Sequence, residues 1–401
     1  MIQQSSLIFQ PAEILLPAGN LRKWSVIACD QFTSDGEYWA EVERFVGDAP
    51  SALRLMLPEY YLGRSDEPER MARIQDTMRE YLNSDIFRAY PNSLVYLERH
   101  LSSGSMRRGL VGVIDLEAFD YSDHTDAPIR ASEHTVEDRL PPRVKVRREA
   151  SLEMPHIMLF YNDPEDHLME LAAAYAGDTL YDFDLMGGGG HLLGKRIQGK
   201  DAWLLSEAIS GNGGFRFAVG DGNHSLAAAR NCWLEQKRNL SEPQWKNHPA
   251  RFALVELVNI HDSGVSFEPI HRVLFQTDTA AWFTAAQEKL FDPRGRNITL
   301  LCGDERRVIR ASGSAIGEVI DHVDQFCKWY CAEHGGRIDY IHGDDETKYL
   351  SQAKGCCGVL LPQMEKSELF QSVSDIGPFP KKSFSIGLGT DKRYYLECRK
   401  I

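Results

Sequence analysis

The sequence lacks the features that would place it at once in several large classes of protein. No apolar run reaches the ~18 residues that a membrane-spanning helix needs, and no charged segment followed by an apolar one opens the chain. The eight cysteines form no CxxC pair and no cluster with histidine at zinc spacing. These absences predict a cytoplasmic protein with reduced, unpaired thiols and no membrane partner.

Basic residues are also scarce relative to acidic ones. Lysine and arginine together number 45, against 58 aspartates and glutamates, so the formal net charge is −13. Proteins that bind nucleic acid depend on a basic face that displaces counterions from phosphates. The most basic stretch, residues 143–148, alternates charged and apolar side chains and is typical of a charged strand edge. We therefore expect no nucleic acid among the partners.

Apolar material for a core is abundant. Hydrophobic residues make up 43% of the chain, and 401 residues exceed what one ordinary core holds. Short apolar runs typical of buried strands are followed by helical spacings, as in residues 155–161 and 164–175. These patterns predict an α/β fold with a mixed sheet. From residue 277 the predicted elements are two strands and then alternating helices and strands, which indicates a smaller C-terminal α/β domain over 277–401.

One strand-to-helix turn stands out as a candidate for chemistry. The apolar run Phe215–Val219 predicts a strand, and the alanine-rich run Leu226–Lys237 predicts a helix. In the turn between them, Gly220 and Gly222 allow the backbone to approach a ligand closely. The following helix begins with unpaired N–H groups at the positive end of its dipole. Such a turn is suited to bind an anion such as phosphate.

The remaining residues of the turn add side-chain chemistry. Asp221 is suited to hold a metal ion or to orient a hydroxyl group, while Asn223, His224 and Ser225 supply hydrogen-bonding groups. The same residues also fit an ordinary turn in which asparagine or serine caps the helix. Spacing alone does not decide between a binding turn and a structural one.

The residues of this turn resemble a known family. The run Val-Gly-Asp-Gly-Asn-His-Ser-Leu-Ala-Ala-Ala at 219–229 resembles the phosphate-binding turn of the ParB/sulfiredoxin superfamily. Over nearly its whole length the chain also resembles an uncharacterised prokaryotic family, catalogued as domain of unknown function 1015. The resemblance implies a ParB/sulfiredoxin-like core with insertions over residues 1–276 and a site for nucleotide phosphates. The further segments that carry it are Lys23–Thr33, Arg139–Val144, Glu268–Arg272 and Pro380–Gly387.

Relatives that share the turn include free serine kinases, which transfer a phosphoryl group from a nucleotide to L-serine. Their turn reads Asp-Gly-His-His-Arg, so Asp221, Gly222 and His224 match while Asn223 and Ser225 differ. Ser225 stands where an arginine would hold phosphate through two hydrogen bonds, a contact that serine does not reproduce. Sulfiredoxins carry their catalytic cysteine at the position of Asn223, which excludes sulfinic-acid repair for this chain.

Three further positions are candidates for the same site. Asp30 follows an apparent buried strand, where a carboxylate can act as a general base or a magnesium ligand. Capping of the next turn is an equal alternative for Asp30. His271 and Arg272 follow a strand-like segment and offer the cation that Ser225 does not supply, although a strand-end pair with Arg272 at the surface explains them as well.

Together these features predict a nucleotide-dependent small-molecule kinase, similar to free serine kinases, or a nucleotide hydrolase. The expected cofactor is ATP or ADP with Mg²⁺. The alternative is a non-catalytic nucleotide- or metabolite-binding protein, and the sequence leaves open whether the chain forms a homodimer. The predicted catalytic residues are Asp30, Asp221 and His224, with Asp221 also a metal ligand. The predicted cofactor-binding residues are Gly220, Gly222, Asn223, Ser225, His271 and Arg272.

Overall fold

The computed structural model describes residues 7–28, 32, 35–154, 157–211, 213–387 and 389–401. Within these ranges the strands are β1 Phe9–Gln10, β2 Ala12–Pro17, β3 Val26–Ile27, β4 Phe87–His100, β5 Met106–Asp115, β6 Phe119–Asp120, β7 Ile129–Ala131, β8 Leu152–Glu153, β9 Met158–Tyr161, β10 Thr179–Asp184, β11 His191–Gln198, β12 Phe217–Asp221, β13 Phe252–Asn259, β14 Phe267–Phe275, β15 Phe291–Cys302, β16 Glu305–Ala311, β17 Arg337–His342, β18 Cys357–Leu360, β19 Phe384–Ile386, β20 Tyr394–Tyr395 and β21 Arg399–Lys400.

The helices of the described ranges lie between these strands. They are α1 Leu21–Trp24, α2 Gly36–Val46, α3 Glu67–Leu82, α4 Leu140–Arg148, α5 His167–Tyr175, α6 Gly199–Ser210, α7 Asn223–Lys237, α8 Glu242–Trp245, α9 Trp282–Leu290, α10 Ile316–His334, α11 Asp344–Ser351 and α12 Glu368–Ile376. None of these helices combines the length and the apolar character needed to cross a bilayer.

The larger sheet has eleven strands, in the order β10-β11-β4-β5-β13-β9-β12-β7-β6, with β1 added to β5 and β2 added to β4. Three of its pairs, β13 with β9, β12 with β7 and β6 with β7, are parallel, and the other pairs are antiparallel. The sheet is therefore mixed. The predicted α/β fold with a mixed sheet is confirmed.

Both faces of the larger sheet are buried. In β4, Leu94 faces the layer formed by α5, α6 and α7, whereas Val95 and Leu97 face the layer formed by α1, α2 and α3. This alternation follows from the period of two along a strand, and it makes β4 apolar on both sides. The sheet consequently forms the central layer between two sets of helices.

The smaller sheet has the order β16-β15-β18-β14-β17, with β19 added to β14. Its core includes side chains of α9, α10 and α12, and also Phe160 and Ala218 from the larger sheet. Strand β14 lies before residue 277, so this sheet draws one strand from the N-terminal side of that position. Residues 394–400 return in the other direction, where β20 pairs with β3 and β21 pairs with β8.

Most of the local predictions agree with these elements. The strand predicted over Phe215–Val219 corresponds to β12, and the helix predicted over Leu226–Lys237 lies within α7, which begins earlier, at Asn223. The strand edge predicted over residues 143–148 is wrong, because this segment belongs to helix α4. Pro141 and Pro142 lie in the first turn of α4, where an absent N–H costs no helical hydrogen bond. The seven cysteines of the described ranges are free thiols, as predicted, and Cys29 lies outside those ranges.

Candidate functional site

A cavity of about 530 Å³ lies where β12 ends and α7 begins. Its volume falls in the range of about 300–1,000 Å³ that is usual for small-molecule sites. The polar wall is the part of the lining formed by the turn at residues 220–225 together with Lys381, Lys382, Ser385, Lys392 and Arg393. The apolar wall is a second part of the lining. It includes Trp39, Leu55, Met56, Leu57, Met78, Val146, Leu152 and Met154.

The backbone of the 220–225 turn depends on its second glycine. Gly222 has φ of +87° and stands immediately before the first residue of α7. A Cβ atom there would lie 3.0 Å from Ile157 Cγ1, so conformation and space both favour glycine. At Gly220 a Cβ atom would lie 2.6 Å from Phe160 Cε2. Gly220 thus has a packing role, in addition to lining the cavity.

Asp221 is the last residue of β12 and lines the cavity. Its Oδ1 accepts a hydrogen bond from the Gly222 N–H at 2.9 Å. Its Oδ2 lies 3.5 Å from the Lys392 Nζ, which comes from the far end of the chain. The carboxylate therefore stabilises the turn with one oxygen and contacts an ammonium group with the other.

His224 lines the cavity and contacts the backbone of the segment that precedes α4. Its Nε2 accepts a hydrogen bond from the Val136 N–H at 3.1 Å. This contact orients the imidazole ring at the start of α7.

Asn223 and Ser225 lie in the first turn of α7, and both line the cavity. Asn223 is nine-tenths buried, and its Oδ1 has no hydrogen-bond partner among the described residues. A buried amide oxygen without a donor loses the hydrogen bonds that it would form in water. A bound hydroxyl, amine or water molecule would satisfy it.

A second turn, Pro380–Ser383, completes the polar wall. Lys382 lines the cavity and has φ of +57°, which is unusual for a residue with a side chain. The Ser383 N–H donates to Glu133 Oε1 at 3.0 Å, and the Arg272 guanidinium donates to the Lys382 carbonyl at 3.0 Å. These two bonds hold the strained backbone in place and thereby direct Lys382 toward the cavity.

His271 and Arg272 lie in β14 and do not line the cavity described above. Arg272 is fully buried, and its Nε donates to Asp324 Oδ1 at 2.7 Å. His271 Nε2 lies 2.9 Å from Asp344 Oδ1, and its Nδ1 accepts from the Leu361 N–H at 3.1 Å. Both side chains are thus engaged in the smaller sheet. Arg272 contacts the site through the carbonyls of Lys382 and Ile270, both of which line the cavity.

Helix α4 brings further charges to the cavity. Arg143 forms an ion pair with Glu59, and Arg147 Nη2 lies 2.7 Å from Glu153 Oε2. Glu153 is buried and also contacts Arg399 at 2.6 Å. Burial raises the pKa of Glu153, but the two guanidinium groups outweigh it and hold the pKa below its ordinary value. Glu153 consequently stays ionised and ties α4 to the C-terminal segment.

The remaining predicted site residue, Asp30, lies outside the described residues. Within the described ranges, no group of three or more histidine, cysteine or acidic side chains is arranged to hold a metal ion. Magnesium that enters with a nucleotide needs only one or two protein carboxylates in addition to phosphate oxygens and water. Asp221 is suited to be one such carboxylate.

Two features of the site were absent from the sequence-based prediction. Lys392 belongs to the charged run Asp-Lys-Arg, which resembles a surface turn and gives no sign of burial. The apolar wall comes from residues 39–78 and 146–154, where no sequence motif indicates a cavity. For Lys382, by contrast, the Pro-Lys-Lys-Ser run was a usable signal, although as bare sequence it fits a solvated turn.

Comparison with known families identifies the group to which the chain belongs. Residues 10–400 match the family described as "Protein of unknown function (DUF1015)". The chain is a member of this family. Membership confirms the resemblance to domain of unknown function 1015, but the family's description names no activity. No curated protein gives a significant match to this family member.

Solved structures similar to this DUF1015 member share little sequence with it. A free serine kinase variant in complex with ADP has 13% identity and a TM-score of 0.39, over 71% of this chain and 91% of the kinase. SbnI with C-terminal truncation from Staphylococcus aureus has 12% identity and a TM-score of 0.38, over 69% of this chain and 82% of SbnI. A conserved hypothetical protein from Pyrococcus furiosus has 11% identity and a TM-score of 0.36, over 72% of this chain and 94% of the other. Similarity at this level assigns neither a ligand nor a reaction.

Proposed function

We propose that the cavity binds a nucleotide and that the protein transfers its terminal phosphoryl group to a small molecule or to water. One observation carries the proposal: the first turn of α7 opens onto a cavity whose polar wall also presents Lys382 from a strained turn. Helix N-terminal N–H groups and lysine are both suited to hold phosphate oxygens. The likeness of residues 219–229 to the ParB/sulfiredoxin turn supports the same assignment.

The two walls match the two parts of a nucleotide. Phosphate would lie against Asn223, His224 and Ser225, where the helix dipole and the N–H groups favour negative charge. The base and sugar would lie against the apolar wall, where the partly exposed Met56 and Leu57 offer apolar surface for a planar ring. The unpartnered Oδ1 of Asn223 would accept a hydrogen bond from a hydroxyl group of the ligand.

In the proposed transfer, an acceptor hydroxyl oxygen bonds to the terminal phosphorus as the bond from phosphorus to the leaving phosphate oxygen breaks. The acceptor proton passes to a carboxylate, for which Asp221 is the described candidate and Asp30 the second. His224 would lie beside the phosphoryl oxygens and help to offset the negative charge that develops there. Bound Mg²⁺ would supply charge neutralisation, held by Asp221 and the phosphates.

The proposal is tested by thermal unfolding with ATP, ADP, CTP and GTP, each with Mg²⁺. A ligand that binds only the folded state raises the melting temperature. We expect a shift with at least one nucleotide, and Asp221→Asn should abolish turnover without loss of the fold. Asp48→Asn, an exposed carboxylate away from the cavity, is the matched control. No shift with any nucleotide would contradict the proposal.

The structure also favours a second candidate, a nucleotide-binding protein without turnover. The Lys392 ammonium lies 3.5 Å from Asp221 Oδ2, so the carboxylate proposed as the base already has a cationic partner. Ser225 also lacks the two parallel hydrogen bonds through which arginine binds phosphate. A nucleotide that raises the melting temperature but is not consumed over hours, with serine or without it, would assign this second function.

A further inference from the structure

We propose that Lys392 is the cation that binds the ligand phosphate at the start of α7, in the role left vacant by Ser225. This inference rests on the proposed nucleotide site, and it adds to that site a residue far away in sequence. It also gives a reason why Arg99 and Arg107 are buried behind the segment 390–392. The following contacts carry it.

Lys392 lies in the cavity wall at the start of α7. Its Nζ is 3.5 Å from Asp221 Oδ2, while the other oxygen of Asp221 accepts the Gly222 N–H. The ammonium is therefore next to the turn whose N–H groups face the cavity. Lysine is rarely buried, yet only 8% of Lys392 is exposed. An ammonium group withdrawn from water in this way attracts an anion more strongly than one at the surface does.

The backbone behind Lys392 is fixed by buried guanidinium groups. Arg99 is fully buried and donates to the carbonyls of Thr390 at 2.6 Å, Asp391 at 2.9 Å and Lys392 at 2.6 Å. Arg107, also buried, donates to the Asp391 carbonyl at 3.2 Å. Burial, together with the nearby Arg107, lowers the pKa of Arg99 to about 9.

Two buried cations that bond to carbonyls are costly, because carbonyls compensate a buried charge less well than carboxylates do. A surface loop would not need them. Their geometric effect is to hold three successive peptide groups and so to fix the position from which Lys392 extends. Arg99 is thus a positioning residue for Lys392.

The chemistry of lysine specifies the expected behaviour. An ammonium group is a point charge, whereas arginine binds phosphate with two parallel hydrogen bonds. Lys392 should accordingly respond to the number of charges on the ligand rather than to its shape. Affinity for ADP should depend on Lys392 strongly, affinity for AMP less, and affinity for adenosine hardly at all.

The decisive experiment measures Kd for adenosine, AMP and ADP by titration calorimetry in the wild type and in Lys392→Gln. We expect ADP to bind about 10- to 100-fold more weakly to the variant, and adenosine to bind within about twofold of the wild type. Lys366→Gln is the matched control, because Lys366 is also partly buried but bonds to the Asp262 carbonyl away from the cavity.

A merely structural role for Lys392, in which it only neutralises Asp221, predicts a different pattern. In that case Lys392→Gln in an Asp221→Asn background would change the binding of adenosine, AMP and ADP alike, because no contact to phosphate is lost. If Lys392 binds phosphate, the same substitution still weakens ADP binding by about tenfold or more in that background. The double variant thus separates the two roles.

A wild-type measurement keeps the inference testable if Lys392→Gln does not fold. The rate at which an acetylating reagent modifies Lys392 is followed by mass spectrometry, with ADP and with adenosine. ADP should protect Lys392 and leave Lys366 unaffected, and adenosine should protect neither. Equal ADP affinity in wild type and variant, or no protection by ADP, would overturn the role of Lys392 while leaving the nucleotide site in place. A wild type that binds no nucleotide would overturn both.

Discussion

At the scale of single residues, Gly222 controls how α7 begins. Its φ of +87° and the 3.0 Å approach of Ile157 leave no room for a side chain. We expect Gly222→Ala to lower the free energy of unfolding by about 2–4 kcal/mol, since left-handed strain and overpacking add together. Urea unfolding followed by circular dichroism measures this loss.

The matched control for this substitution is Gly213, which has a similar φ of +77° but no atom within 4 Å of the added Cβ. Gly213→Ala should lower the free energy of unfolding by only about 1–2 kcal/mol, which is the strain of a left-handed backbone. Equal losses in the two variants would mean that contact with Ile157 contributes nothing to the requirement for glycine.

His271 gives a residue-scale prediction about pH. Burial lowers the pKa of His271 more than the neighbouring Asp344 raises it. The unfolded chain therefore takes up a proton at the ordinary pKa of 6.5, while the folded protein does so only at lower pH. As pH falls below 6.5, the unfolded state binds more protons and the protein loses stability.

We expect His271→Gln to lose less stability than the wild type between pH 7.5 and about pH 5, since one source of proton uptake is removed. Urea unfolding at several pH values in this range provides the test. If the free energy of unfolding falls equally with pH in the two proteins, His271 takes no part in the pH dependence of stability.

At the scale of elements, the Pro380–Ser383 turn depends on the ion pair beneath it. Asp324→Asn would leave Arg272 buried without its carboxylate and should lower the free energy of unfolding by about 3–5 kcal/mol. The double variant Arg272→Met/Asp324→Leu should lower the free energy of unfolding by less, because no charge stays buried. It should still weaken nucleotide binding, since Lys382 loses the bond that holds its backbone.

Unfolding free energies and Kd values for the two variants test both statements. If the double variant unfolds more easily than Asp324→Asn, the cost of the unpaired guanidinium is not what destabilises the single variant. If it binds nucleotide as the wild type does, the bond from Arg272 to the Lys382 carbonyl does not matter for the site.

The elements themselves show what local sequence determines. The strand and helix around residues 217–237 were predictable because apolar runs and alanine-rich spacing act over a few residues. Helix α4 was not, since Arg-Val-Lys-Val-Arg-Arg alternates like a strand edge. In the fold Arg147 pairs with Glu153, which lies in the short strand β8, and Arg148 pairs with Glu235, which lies on helix α7.

At the scale of the whole molecule, the C-terminal segment connects distant parts of the fold. Tyr394, Leu396 and Cys398 are fully buried in the core shared with α1, α2 and α3. A chain that ends at Lys392 would lose these side chains and would remove Arg399 from the buried Glu153. We expect it to unfold without cooperativity and to bind a hydrophobic dye.

Deletion of Ile401 alone is the control for this truncation, since Ile401 is only half-buried and bonds to the Ser151 carbonyl through its N–H. That variant should unfold cooperatively at a temperature close to that of the wild type. A chain ending at Lys392 that behaves in the same way would show that the last strands are dispensable.

The candidate site was predictable only in part, because some of its contacts join residues that are far apart in the sequence. Asp221, Asn223, His224 and Ser225 are consecutive or nearly so, and a single motif marks them. Lys392 reaches Asp221 through the return of the C-terminal segment, which no local pattern indicates. The engagement of Arg272 with Asp324 likewise depends on how α10 packs on β14.

The return of the C-terminal segment also bears on the order in which the protein acquires its activity during translation. A ribosome releases the chain from its N-terminus, so the larger sheet and the turn at 220–225 emerge long before residues 390–400. Until those residues arrive, the cavity lacks one part of its polar wall, and Arg99 lacks the carbonyls of residues 390–392. If the cavity binds a nucleotide as proposed, a nascent chain would bind it poorly until residues 390–400 have joined the fold.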